Sequence, residues 1–389
     1  MIKHFKYIAF LLLLNMSACN TEEGVTPSST EAFLKIIPGA GFDEPVSIDV
    51  LSNGDLLIVS NNTSFNQGET GTTTKIRVVR LTQSGNKVFD KYYPESLSES
   101  WEAKQTVFYT DDKIIIGANI DEGNGLVLFQ TNASGDSVTS SQITYEGENL
   151  NLIGAEKESE EDLLLLSSLS GNPAYDVRVN KLNTISMSST EERSELLNSV
   201  PSSNAVQTGN NTFALGLGPV IFYINDDNDA ALTSVPSQNF TIKHLTNYQE
   251  TSKTIAFGEV QQNNQTHLFS YWTSPGQAST NAQPLVFNRG SDSDFLKGVK
   301  ATSEGVLLSG STERGVNNTA SKQADFLLLK TDINGNLLFT STFGSEGNDD
   351  TLFDAVELNN GIYAVGTTNF AGSLTMVFVK LNNKGLLIN

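Results

Sequence analysis

Residues Phe287–Thr312 (FNRGSDSDFLKGVKATSEGVLLSGST) align without a gap on Phe343–Thr368 (FGSEGNDDTLFDAVELNNGIYAVGTT), at a spacing of 56. Phe287 falls on Phe343, Gly305 on Gly361 and Gly310 on Gly366, and downstream Lys330 matches Lys380 and Gly335 matches Gly385. Gly41–Asn62 followed by Lys75–Tyr93 has the same layout near the other end. Each copy reads as a strand, an N-G type turn, an apolar strand, a variable loop, a third strand, another N-G or S-G turn and a fourth strand. Alternating apolar residues separated by Asn-Gly or Ser-Gly are a strong local hairpin signal.

The second strand of the unit recurs near Leu56, Ile114, Leu163, Phe213, Ile255, Val306 and Ile362, in steps of 58, 49, 50, 42, 51 and 56. Seven up-and-down units of this length predict an all-β chain folded as a seven-bladed β-propeller with four strands per blade. The fourth unit, about 201–240, has the shortest step and an indistinct fourth strand, and misreading it would change the count to six or eight. A right-handed β-helix is the competing architecture, but its repeats are shorter and lack this hairpin punctuation. The last unit stops at NKGLLIN with little room for a fourth strand, whereas Ala32–Phe42 aligns with a fourth strand and its exit. Residues 33–37 are therefore expected to complete the last blade, hiding the sheet edge. The domain is expected to cover 33–389.

The repeats resemble those of propeller lipoproteins and secreted proteins of Bacteroidota and related bacteria. The shared marks are a Gly/Asp-rich loop, a "GxT" after the second strand, and a D-x-x-L-x-K-x-D-x-x-G run, here Asp325, Leu328, Lys330, Asp332 and Gly335. The match covers about a third of the chain well, and the middle units are degenerate. Most such proteins have no assigned activity, so the resemblance implies fold and location rather than chemistry.

The N-terminus reads as a targeting segment. Lys3 and Lys6 precede the apolar run Tyr7–Leu14, which suits a signal-peptide core and is shorter than the roughly 20 residues a membrane helix needs. The segment ends in NMSAC, and Cys19 is the only cysteine in 389 residues. NMSAC resembles a bacterial lipobox, with Asn15-Met16 where leucine is commoner. That resemblance implies cleavage after residue 18 and acylation of Cys19; more than one chain is needed for stable anchoring. The alternative is a secreted protein with an incidental cysteine. Residues 19–32 read as a polar tether. Glu22 and Glu23 resemble the acidic signal that sends Bacteroidota lipoproteins to the outer face of the outer membrane. With no other cysteine, the fold has no disulfides and rests on its core.

Charge narrows the partners. The formal net charge is −20, and −22 once Lys3 and Lys6 are removed with the signal. Such a surface repels phosphate backbones and anionic headgroups, so nucleic acid is excluded as a partner and the membrane is met only through the anchor. The chain has no G-x-S-x-G, H-E-x-x-H, complete G-x-G-x-x-G or sialidase-type box. Beyond the targeting segment it has two histidines, His244 and His267, each read as a lone surface residue, so no His/Cys zinc site is expected.

Twelve residues ahead of the recurring second strand stand Glu44, Glu102, Asp294 and Asp350, with Asn151, Pro201 and Lys243 in the other units. Asp43, Asp292 and Asp349 lie in the same loops. One reading is a partial acidic ring at a mouth of the channel, binding a cation or a basic group. The other is that these carboxylates accept backbone hydrogen bonds once per blade. Asp226, Asp227 and Asp229 offer oxygen ligands for calcium, without EF-hand spacing, and also suit a solvated hairpin loop. No other cofactor is implied. Trp101, beside Glu102, is placed either to stack on a sugar or to pack between blades.

Three functions fit. The first is a monomeric, lipid-anchored, non-catalytic platform for a protein or glycan at the cell envelope. The second is an envelope hydrolase or lyase using mouth carboxylates on polysaccharide or peptide. The third is a structural subunit of an outer-membrane assembly.

Overall fold

A computed structural model describes residues 32–65, 72–96, 99–120, 125–144, 149–170, 175–197, 201–209, 212–224, 231–234, 239–248, 253–273, 283–290, 292–315, 322–370 and 372–387. Cys19, its flanking targeting and tether segments, and the Asp226, Asp227 and Asp229 run lie outside the described residues.

The strands form seven separate antiparallel four-stranded sheets. The first strand, β1 (Phe33–Ile37), is set apart from blade 1, which comprises β2 (Phe42–Val50), β3 (Leu56–Phe65), β4 (Thr72–Leu81) and β5 (Lys87–Tyr93). Blade 2 is β6 (Trp101–Thr110), β7 (Lys113–Ile120), β8 (Gly125–Thr131) and β9 (Ser137–Ile143). Blade 3 is β10 (Asn149–Lys157), β11 (Asp162–Ser170), β12 (Tyr175–Asn183) and β13 (Ser188–Leu197). Blade 4, the doubtful unit of the sequence, is complete but short: β14 (Ala205–Gly209), β15 (Thr212–Leu217), β16 (Val220–Ile224) and β17 (Ala231–Ser234). Blade 5 is β18 (Phe240–Tyr248), β19 (Lys253–Gln262), β20 (Gln265–Thr273) and β21 (Leu285–Phe287). Blade 6 is β22 (Ser293–Thr302), β23 (Gly305–Gly315), β24 (Lys322–Thr331) and β25 (Leu337–Phe343). Blade 7 has β26 (Asp350–Leu358), β27 (Gly361–Phe370) and β28 (Ser373–Leu381), with β1 as its outer strand, in register Phe33↔Lys380 to Ile37↔Met376.

The first strand of each blade is innermost. These seven strands touch one another in succession, and β26 meets β2, so the ring closes. The molecule is a seven-bladed β-propeller, closed by its N-terminal strand as the sequence predicts.

Side-chain alternation explains how blades pack. The run Leu163-Leu164-Leu165-Leu166 in β11 is buried on both faces: Leu163 and Leu165 join a cluster with blade 2, Leu164 and Leu166 one with blade 4. Likewise Ile114 and Ile116 face blade 1 while Ile115 faces blade 3. Among the described residues the buried apolar side chains fall into seven clusters, one at each blade boundary. A strand apolar on both faces is the signature of a doubly covered sheet. Here neighbouring blades supply both covers.

Hydrogen bonds sew the ring near its axis. Gln105 brackets the backbone of Ala155 in the next blade, donating to its carbonyl and accepting from its amide, both at 2.9 Å. Asn204 does the same to Leu245 at 3.1 and 2.8 Å, and Asp354 accepts from the Ile48 amide at 3.0 Å. A second tier comes from the adjacent strand, where Asn61 brackets Ala103 and Asn119 accepts from the Leu152 amide. Each stitch satisfies inner-strand backbone groups that have no ladder partner on the channel side.

Candidate functional site

All the full-length inner strands carry a β-bulge near the middle. The register slips at Pro45/Ser47, Ala103/Gln105, Leu152/Gly154, Ile242/His244, Leu296/Gly298 and Leu352/Asp354. A bulge adds one unpaired residue and re-aims its side chain. The added residues are Val46, Lys104, Ile153, Lys243, Lys297 and Phe353. Four of them (Val46, Lys104, Lys297 and Phe353) line a cavity of about 300 Å³ in the central channel, together with the residues that follow them, Gln105 and Asp354 among these. That volume lies at the small end of the range for ligand pockets.

The cavity's charges are largely matched inside it. Lys300 donates to the Ile48 carbonyl, to Asp49 at 2.8 Å and to Asp354 at 3.2 Å, joining blades 6, 1 and 7. Burial works against its ammonium, but Asp354 and Asp49 hold its pKa well above the usual lysine value. Lys104 pairs with Glu102 at 2.5 Å. Lys297 instead lies 5.4 Å above the Phe353 ring and has no carboxylate partner among the described residues. Burial pushes His244 down to about 4, so its imidazole in the cavity wall is neutral at physiological pH. Burial also pushes Glu156 up to about 7; it stands three residues past the bulge residue of β10, as Lys300 does on β22. Among the described residues no three His, Cys, Asp or Glu side chains are placed to hold a metal ion.

The four carboxylates picked out by spacing do not share one surface. Asp294 and Asp350 are buried, at 0 % and 1 % exposure, while Glu44 is exposed and Glu102 turns to Lys104. Counting from the bulge shows why. Asp294 and Asp350 pair with Thr312 and Thr368, and the residue pairing at that level in blade 1 is Asp43, with Asn62. In blade 2 it is Trp101, with Ile120. Leu56 pairs with Val50 and Ile114 with Phe108, six residues back, whereas Val306 pairs with Ala301, five back. One extra residue in each turn displaces a fixed count of twelve. Trp101 is half-buried and packs on Phe129 at 6.2 Å between blades 1 and 2.

The register also gives the GxT motif a cause. Gly310 and Gly366 sit opposite the residue before the bulge, and a Cβ there would collide with the carbonyl of Phe295 or Thr351. The threonine two residues on is the cross-strand partner of the buried aspartate.

The surface reading of the histidines is corrected: His267 is 2 % exposed on β20, within the sheet of blade 5, and His244 faces the channel. The Asp332–Asn336 segment is the β24–β25 hairpin turn, with Asp332 accepting from the amides of Asn334 and Asn336 and Gly335 at φ 80°. Gly216–Ile221 forms the β15–β16 hairpin.

No protein-family model matches the chain, and no curated protein matches it in sequence. Solved structures do match in shape. A catalytically inactive virginiamycin B lyase from Staphylococcus aureus with quinupristin is 10% identical, with TM-score 0.56, over 90% of this chain and 100% of that one. The β-propeller domain of the Trilobed protease from Pyrococcus furiosus, described as having an open velcro topology, is 10% identical with TM-score 0.54, over 90% and 97%. A streptogramin B lyase is 9% identical with TM-score 0.51, over 92% and 100%. At these identities the likeness is one of fold, and it places this chain among the β-propellers.

Proposed function

We propose that this protein is a lipid-anchored binding propeller of the outer membrane, displayed at the cell surface through Cys19, and that it seats an acidic group of a glycan or protein ligand in its central channel. The observation that carries the channel reading is Lys297. In a chain of net charge −20 it is a cation in the cavity wall with no carboxylate partner among the described residues. Asp49 and Asp354, the cavity's carboxylates, are both engaged by Lys300. With both of its carboxylates held by Lys300, this cavity is suited to recognition, since acid–base work needs a carboxyl group able to exchange its proton with a substrate.

Two measurements test the two halves. Cys19→Ser should move the protein from the membrane fraction to the soluble one; retention in the membrane would reject the anchor. Titration with glucuronate oligosaccharides, as acidic-glycan probes, should show saturable binding that Lys297→Met weakens at least about tenfold, the scale of losing one charge-assisted contact. Equal affinity in the variant would reject the channel site.

A further inference from the structure

The repeat builds one cradle more than once, and the copies differ in what occupies it. At the boundary of blades 7 and 1 the occupant is Arg77, which is fully buried. Its guanidinium donates to Asp43 at 2.8 Å, to the carbonyls of Ile37 and Pro38 at 3.3 and 2.7 Å, and to both oxygens of Asp90 at 2.9 and 2.8 Å. The Tyr92 ring lies 5.7 Å from it. At the boundary of blades 5 and 6 the equivalent aspartate, Asp294, takes Arg289 at 3.0 Å.

The boundary of blades 6 and 7 has the same frame, with valine in place of the arginine. Asp350 is the equivalent of Asp43, as the shared bulge register shows. Arg77 pairs with Ser60, one past the residue opposite the bulge, and Val377 holds that position through Gly366. Phe343 stands where Ile37 does, since Phe343 pairs with Phe326 and Ile37 with Met376 at the same level of their blades. On the outer strand, Ile36 pairs with Val377 as Tyr92 pairs with Arg77, and Leu34 takes the place of Asp90.

Where Val377 stands in place of an arginine there is a cavity of about 280 Å³, lined by Asp350, Val377, Phe343, Gly344, Leu34 and Ile36 among others. Asp350 is 1 % exposed; its Oδ2 accepts from the Ser345 amide at 2.7 Å and hydroxyl at 3.2 Å, while its Oδ1 has no hydrogen-bond partner within 3.5 Å and the Thr368 hydroxyl acts on the carboxyl only from longer range. Asp325 approaches from blade 6, and both carboxylates flank Gly344. Asp350 is the one carboxylate in the lining of this largely apolar pocket, and a buried carboxylate is stabilised by a cation placed beside it. Leu34 and Ile36 at the rim are 41% and 44% exposed, so the mouth is apolar where blade 1 has Asp90 and Tyr92.

We propose that this cavity binds a small organic cation, a guanidinium or primary ammonium head on a short aliphatic body, with Asp350 as its counter-ion. The head takes the position of the Arg77 guanidinium, and the aliphatic body lies against Leu34 and Ile36, as the stem of a long basic side chain lies on apolar surface. The site is distinct from the channel and does not depend on it.

The test is a titration of the full chain with butylguanidinium, followed by calorimetry and by thermal unfolding, with 1-butanol as the uncharged control. N-acetyl-arginine amide presents the same head as a polypeptide would, so the pair of cations separates a free small molecule from a side chain. Saturable binding of either cation, absent with butanol, is expected. Asp350→Asn, which keeps the shape, should weaken it at least about tenfold. Val377→Arg, which copies blade 1, should abolish it and raise the unfolding midpoint. If that variant does not fold, Asp350→Asn still decides. Undiminished binding by Asp350→Asn, equal binding of butanol, or binding of neither cation would overturn the proposal.

Discussion

Replacing Arg77 with leucine is expected to lower the unfolding free energy by about 3–5 kcal/mol, the cost of breaking a buried ion pair from one side. The leucine would leave Asp43 buried at 1% exposure with Asn62 as its remaining side-chain donor, and would remove the tie between the end of β1 and blade 1. Because β1 closes the ring, the loss falls at the seam. Burial already pushes the Asp43 pKa up against the pull of Arg77, so without the arginine the carboxyl protonates more readily. The variant should therefore recover part of its deficit as the pH is lowered, and methylguanidinium at millimolar concentration should recover part of it at neutral pH. Urea unfolding at two pH values with and without methylguanidinium checks both. A midpoint unmoved by the substitution would show that the seam does not depend on the arginine.

The second large effect is expected at Gly298. It follows the bulge of β22, the position from which Gln105 and Asp354 reach the next blade. Here the backbone of blade 7 comes so close that a Cβ would collide with the Phe353 carbonyl. Gly298→Ala must push blades 6 and 7 apart or bend β22, at about 3 kcal/mol, the upper part of the range for overpacked sites. Gly125→Ala is the control, since its Cβ would meet the Thr144 methyl at 3.1 Å and the Ile143 oxygen at 3.2 Å, where a small shift gives relief. A chemical-denaturation midpoint for Gly298→Ala no lower than that of Gly125→Ala would contradict this account of the inner ring.

These two sites also show what the sequence carries plainly and what it conceals. Hairpin turns, the repeating apolar second strand and the closure by residues 33–37 are local or periodic features, so they were legible, even in the short fourth blade. The face on which a side chain lands was not. A bulge shifts the alternation by one residue without leaving a mark in the hydrophobic pattern, so nothing in the sequence singles out Lys104, Lys243 and Lys297 as the bulge residues. The one-residue difference in turn length likewise put Glu44 where Asp43 belongs. Arg77 did leave a signal: a charge inside the apolar run IRVVRL of a central strand requires a buried partner. Histidine burial depended on which strand face met a neighbouring blade, and no periodicity of one or two isolated residues can report that.

We propose that this propeller binds its ligand in the channel. Hydrogen exchange measured with and without saturating acidic envelope glycan tests it most directly, because it reports where contact occurs without assuming which residue matters. New protection is expected on the inner strands, at 104–106 of β6 and 297–300 of β22, and is expected to be lost in Lys297→Met. Protection confined to outer strands such as β5, β9 and β25, or unchanged in that variant, would contradict it.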